Sequence, residues 1–160
     1  MVEILDVIYR RRAVKVFEPV EISDGVRERI LDAARYAPSS FNLQPYKFYW
    51  VQTAEKKRAV FWVVNLRRVI GMPPLFRQEI FKWAARSTSL ACQNLMIAAE
   101  ALGMSTCPME GFDGRRLGRY LGLSRRKQEV VMVIAVGKRS SEYREWPQWR
   151  RPLETTVVEL

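Results

Sequence analysis

The longest patterned stretch of the chain carries Phe81, Ala84, Thr88, Ala91, Leu95, Ala98 and Leu102, spaced by alternating threes and fours. This near-3.5-residue seam predicts one long helix, closed by Gly103 as its C-cap. Most seam residues are small, so a second helix can approach closely, and the pattern suits a core helix and an intersubunit helix equally. Leu5, Ile8 and Tyr9 are spaced like one face of a first helix that ends near Arg10-Arg11-Arg12, where positive charge suits a helix C-terminus. Ser23 reads as the N-cap of a second helix running through Ala37, with Val26, Ile30, Ala33, Ala34 and Ala37 on one side and Pro38 as the stop. Asp113 reads as the cap of a short helix containing Leu117, Tyr120 and Leu121 and ended by Gly122.

Strand patterns are shorter. Residues 14–17 read as an extended piece between the first two helices, and Tyr46-Lys47-Phe48-Tyr49-Trp50-Val51 as the first central strand, being rich in aromatic and β-favouring side chains. Residues 130–137 are continuously apolar up to Gly137, which predicts a strand covered on both faces. Thr155-Thr156-Val157-Val158-Glu159-Leu160 is β-prone with no neighbour in sequence to pair with. This mixture predicts an α+β fold. At 160 residues and 48% apolar the chain can fill one core but not two, and no linker or repeat divides it, so residues 1–160 read as a single domain.

The most hydrophobic run, residues 59–64, falls far short of the roughly 20 apolar residues that a bilayer crossing needs and reads as a buried strand or helix. No membrane association is expected. Acids among the first six residues, with no apolar stretch after them, do not resemble a secretory signal, and the expected location is cytoplasmic. The chain has no histidine, which excludes Ser-His-Asp and Cys-His nucleophiles, and Cys92 and Cys107 have no CxxC spacing, so no metal site is expected. The net charge of +10, from 27 basic and 17 acidic residues, draws in anions. The bases are spread from Arg10 to Arg151 without a recognisable nucleic-acid-binding pattern, so nucleic acid is not the expected partner. A phosphate-bearing cofactor or a dinucleotide reductant would use the same field, as would a simply solvated basic surface.

Three ordered segments carry the chemistry. They are Arg11-Arg12-Ala13-Val14-Lys15-Val16-Phe17, then Ala37-Pro38-Ser39-Ser40-Phe41-Asn42-Leu43-Gln44-Pro45, then Cys107-Pro108-Met109-Glu110-Gly111-Phe112-Asp113. Taken singly, an arginine triplet after a helix is an ordinary solvated face, and a polar turn after a proline ordinarily satisfies its own backbone. In this order the trio resembles the nitroreductase family, over residues 1–53 and 85–160.

The resemblance implies a nitroreductase-like fold: a central mixed or antiparallel sheet flanked by helices, with C-terminal strand exchange in a homodimer. It implies flavin mononucleotide (FMN) as cofactor, NADH or NADPH as reductant, and a nitroaromatic, quinone or related small molecule as acceptor. Arg11 and Arg12 then contact the phosphate and ribityl chain, and Lys15 sits at the pyrimidine edge, where it stabilises negative charge on the reduced ring. Ala13 stands where the family usually has Ser, so only its backbone can serve. Pro38, Ser39, Ser40 and Asn42 reach the flavin of the other subunit. Pro108, Met109, Glu110 and Gly111 form the turn over the flavin face, with the Glu110 N–H directed at N5. Arg150 is placed as a second phosphate-binding base, a role Lys138, Arg139 or Arg151 could also take. The stretch between the first strand and the long helix is short for the family, which bears on the acceptor contacts. Two alternatives accompany this reading: a flavin-binding protein without reductase turnover, and a basic nucleic-acid-binding domain.

Overall fold

The chain is described from a computed structural model that covers residues 3–39, 42–65, 75–124, 128–145, 147–152 and 156. Helix α4 (Leu75–Ala101) is the spine. Its seam residues Ala91 and Leu95 are buried, and the chain leaves the helix through two tight backbone bonds, Gly103 N–H to the Glu100 carbonyl and Met104 N–H to the Ala99 carbonyl. These are the paired bonds of a Schellman cap, and they require Gly103 at φ +75°, where a side chain would be strained.

Helix α2 (Asp24–Arg35) lies on α4. Ile30 and Ala34 meet Leu95 and Ala99, all buried, with Val26, Phe48, Leu102, Met104, Ile134 and Val136 packed around them. Alternating a large with a small residue on each helix lets the two backbones come close without leaving a void. Helix α1 (Ile4–Arg10) reaches α4 through Val7, which is 1% exposed. Strands β1 (Ser105–Met109) and β2 (Val133–Gly137) pair antiparallel, Ser105 opposite Gly137 and Met109 opposite Val133. The extended piece after α1 joins them by a parallel bridge from Ala13 to Thr106 and an antiparallel one from Phe17 to Arg139. Helix α3 (Ala54–Asn65) takes up the apolar run at 59–64, and α5 (Gly114–Tyr120) starts where the Asp113 carboxylate accepts the N–H groups of Arg115 and Arg116. The fold is α+β, as expected.

Four expectations need correction. Residues 46–51 form no strand. An open trough of about 2470 Å³ lies between them and β2, so their backbone finds no ladder, and the segment is tied by its side chains, Tyr46 donating to the Arg35 carbonyl and Tyr49 accepting from Gln128. The same trough leaves most of β2 only half-buried rather than covered on both faces, and the ladder begins at Val133 rather than at 130. The α1 face bearing Leu5, Ile8 and Tyr9 is exposed together with Ile4, and Val7 alone enters the core. Helix α2 stops at Arg35, two residues before Ala37, and Ser23 occupies its N-cap without a side-chain hydrogen bond. The terminal strip at 155–160 lies outside the described residues except for Thr156.

Candidate functional site

Where α1 ends, the chain turns into the extended piece and delivers three cations in five residues, Arg11, Arg12 and Lys15. Arg11 is the C-cap residue, its N–H donating to the Val7 carbonyl at 3.0 Å. Arg12 bends back so that Nη1 donates to the Tyr9 carbonyl at 2.6 Å, placing a positive charge on the carbonyl end of the helix. Each guanidinium nevertheless has a buried nitrogen with no partner, Nη1 of Arg11 and Nε of Arg12. The Thr106 hydroxyl, on the β1 residue bridged to Ala13, is likewise buried and unpartnered. Buried donors without acceptors are costly, by about 1–3 kcal/mol each and more when charged. Two of them are guanidinium nitrogens on consecutive residues, which an anionic ligand could satisfy, and the third lies on the strand residue bridged to Ala13.

Charge reinforces the point. The described salt bridges join Arg27 to Asp24, Arg35 to Asp32, Lys138 to Glu18 and Arg139 to Glu145, and none takes Arg11, Arg12, Lys15 or Arg150. Lys15 is exposed and lies close enough to Cys107 on β1 to act on its thiol: burial pushes the Cys107 pKa up, and the Lys15 charge opposes the rise. Cys92, in α4, has its pKa raised by burial alone.

The end of β1 completes the cluster. Pro108 and Met109 close the ladder, the Glu110 carbonyl accepts from the Phe112 N–H at 2.9 Å, and the Glu110 side chain and Gly111 are exposed. Met109 and Phe112 also line the trough, as do Phe17 and Glu18 just after the cations, so both segments border that opening. The tail comes back to the same place. Gln148 Nε2 donates to the Arg11 carbonyl at 3.1 Å and the Tyr143 hydroxyl to the Ala13 carbonyl at 3.3 Å. Arg150, two residues beyond Gln148, is exposed and donates to the Trp149 carbonyl.

Arg11, Arg12, Ala13, Lys15, Pro108, Met109, Glu110, Gly111 and the tail leading to Arg150 are therefore gathered on one side. The loop at 38–44 is not joined to them by any described bond. It is held by itself: the Gln44 N–H donates to Ser39 Oγ and the Gln44 side-chain amide to Asn42 Oδ1, both at 3.0 Å, while the Asn42 N–H donates to the Ser39 carbonyl. Asn42 and Gln44 both have positive φ, 54° and 44°. Asn tolerates that region, whereas Gln does so rarely, so the loop carries local strain. Pro38 is exposed at its start, and Ser40 lies outside the described residues. Sequence reasoning missed Thr106, Tyr143 and Gln148. Thr106 directly precedes the Cys-Pro-Met-Glu turn, but no spacing rule singles out the other two.

Comparison with known proteins gives one answer. The sequence profile described as the Nitroreductase family matches residues 8–69 and 75–138. Protein DrgA of Synechocystis is 29% identical over 182 aligned positions, covering 86% of this chain and 84% of its own. The oxygen-insensitive NAD(P)H nitroreductase of Salmonella typhimurium is 23% identical over 216 positions, covering 99% of this chain and 100% of that protein. Since this chain has 160 residues, at least 56 of those 216 positions have no counterpart in it. Among solved structures, a Staphylococcus epidermidis protein provisionally named NAD(P)H:FMN oxidoreductase superposes with a TM-score of 0.87 at 22% identity, covering 100% of this chain and 97% of that one.

Proposed function

This chain belongs to the nitroreductase family, and on that premise we propose that it is an FMN-dependent oxidoreductase that draws electrons from NADH or NADPH and delivers them to a nitroaromatic, quinone or related small acceptor. The observation that carries the reading is the pair of buried, unpartnered guanidinium nitrogens of Arg11 and Arg12, with no salt bridge to Lys15 or Arg150 among the described residues. These donors fit a dianionic phosphate and the polar chain attached to it. When bound, FMN supplies two-electron hydride chemistry at its ring.

The protein's own residues do the rest. Arg11 and Arg12 would neutralise the phosphate, Lys15 would hold positive charge at the ring's polar edge, and the backbone at Glu110 would offer a donor with no pKa of its own to tune. An acceptor approaches through the trough, which reaches the turn at Met109 and Phe112. The working unit is a homodimer. Support comes from the exposed Ile4, Leu5, Ile8 and Tyr9 on α1, and from Ser39, Asn42 and Gln44, whose described bonds are to one another and not to the cations of their own subunit. The strip at 155–160 adds to the partner's sheet.

The test is direct. The full chain, freed of flavin and titrated with FMN under fluorescence, should bind stoichiometrically, turn yellow, and then oxidise NADH or NADPH in the presence of a quinone or a nitroaromatic. A colourless protein that fails to bind added FMN would refute the assignment. Deletion of residues 153–160 should release monomer and lower flavin occupancy together, and a flavin-loaded dimer after that deletion, seen by sedimentation, would remove strand exchange.

A further inference from the structure

The tail between Arg139 and Gln148 is built onto the cation loop more firmly than a connecting segment requires. The Val14 N–H donates to the Thr106 carbonyl at 2.9 Å. In a trans peptide the carbonyl of the preceding residue points the opposite way, so the Ala13 carbonyl faces away from β1. That carbonyl meets the Tyr143 hydroxyl, from 130 residues away in sequence, and the Arg11 carbonyl meets the Gln148 amide, from 137 residues away. The tail is itself anchored. Arg139 donates to Ser105 Oγ on β1 at 3.3 Å, pairs with Glu145, and lies over the Tyr143 ring at 5.8 Å. The turn leading to Tyr143 is closed by Ser140, whose N–H donates to the Val16 carbonyl and whose side chain accepts from the Glu142 N–H.

We propose that Tyr143 and Gln148 are positioning residues that fix the Ala13 and Arg11 carbonyls and so aim the Arg11 guanidinium at the flavin phosphate. The inference rests on the flavin assignment above. It also accounts for Ala13: with no side-chain oxygen at that position to steady the loop, the steadying bonds come from outside it, onto the backbone. Fixing a long, rotamer-rich arginine before the ligand arrives lowers the ordering cost of binding. The benefit goes chiefly to a ligand carrying the phosphate, because that is the group the Arg11 charge recognises, whereas a ribityl hydroxyl gains only a neutral contact.

Riboflavin, which has the same ring and ribityl chain without the phosphate, makes the distinction. The full chain, freed of flavin, is titrated with FMN and with riboflavin, and the ratio of the two dissociation constants is the readout. Tyr143→Phe keeps the ring over Arg139 and removes only the donor, while Gln148→Ala removes an exposed amide, so both should fold. Each should cut the preference for FMN by about three- to tenfold, the range for one backbone-directed hydrogen bond. In an Arg11→Ala background the same two changes should move the preference by less than about twofold, because residues acting through one another are not additive. Variants that weaken FMN and riboflavin equally would make the tail a purely structural brace and overturn the proposal. So would an undiminished effect after Arg11 is removed. A wild type that binds neither flavin would overturn the flavin assignment itself, whereas one that prefers FMN while the variants keep that preference would overturn only the role of Tyr143 and Gln148.

Discussion

Replacing Arg11 by leucine should move stability and affinity in opposite directions. The side chain is half-buried, and its Nη1 nitrogen is sealed from water with no acceptor in reach. Without a ligand that nitrogen is a cost to the fold, on the order of 1–3 kcal/mol for an unsatisfied buried donor. The lower end applies here, because the residue as a whole is only half-buried, and leucine keeps part of the apolar stem. Arg11→Leu should therefore stabilise the flavin-free protein by about 1 kcal/mol, which for a domain of this size raises Tm by roughly 2–4 °C.

With FMN present the order should reverse. Loss of a charge-assisted phosphate contact removes about 1.5–3 kcal/mol of binding, or roughly ten- to a hundredfold in Kd. At free FMN of about 100 times the wild-type Kd, ligand linkage adds about 2.7 kcal/mol to the wild type. A variant binding about thirtyfold more weakly gains only about 0.9 kcal/mol from the same concentration. The wild type then overtakes the variant by somewhat under about 1 kcal/mol. Thermal unfolding of both proteins across an FMN titration reads this directly as two curves of Tm that cross. Curves that never cross, because the variant is less stable from the start or binds FMN as tightly as the wild type, would refute the link between the orphaned nitrogen and the phosphate.

Two further outcomes follow from packing and titration. A methyl group added at Gly137 would sit 2.8 Å from Phe17 Cδ1 and 3.0 Å from its Cγ, and the Phe17 backbone is held by its bridge to Arg139, so Gly137→Ala should destabilise by about 1–3 kcal/mol in denaturant unfolding and Phe17→Leu in the same chain should recover part of it; an unchanged midpoint would show that the ring moves freely. Burial raises the Cys92 pKa above the ordinary thiol value of 9.0, so the folded state holds the proton longer than the unfolded state does. The stabilisation is complete below pH 9 and is lost as pH rises through and beyond it, and Cys92→Ala should flatten the alkaline fall in stability relative to wild type; parallel curves from pH 8 to 10 would dismiss the contribution.

What could be read in the sequence was local. The α4 seam, its Gly103 cap and the Asp113 cap are each specified within a turn or two of chain, and the structure has all three. The cations at 11–15 are contiguous, so their common location needed no knowledge of the fold. Residues 46–51 failed for the opposite reason. A strand exists only with a partner, and the aromatic and β-branched content that predicts one says nothing about whether a neighbouring backbone lies within ladder distance. The α1 face failed similarly: Leu5, Ile8 and Tyr9 form a coherent stripe, but the helix touches α4 and buries Val7 instead. Tyr143 and Gln148 were invisible because each acts on a backbone carbonyl more than a hundred residues away, through groups common on any surface.

The shortening of the chain is not spread evenly over the fold. The packed pair α2 and α4, the β1–β2 ladder, the cation loop and the turn at 107–113 are all present and mutually bonded, and the family match breaks only between residues 69 and 75. The trough opens on residues 45–53 and on β2, and its rim also takes in Lys57 and Val60 of α3. The side that carries Arg11, Arg12 and Lys15 thus keeps its donors, while among the described residues the trough on the other side is wide. Binding energy that raises kcat for one acceptor over another must come from contacts made in the transition state. A molecule the size of a quinone would fill only a small part of a trough of about 2470 Å³. On the oxidoreductase reading proposed above, selection among acceptors should fall to their intrinsic ease of reduction, and kcat/KM across a panel of quinones and nitroaromatics should follow their reduction potentials; one acceptor preferred a thousandfold against that order would refute the argument.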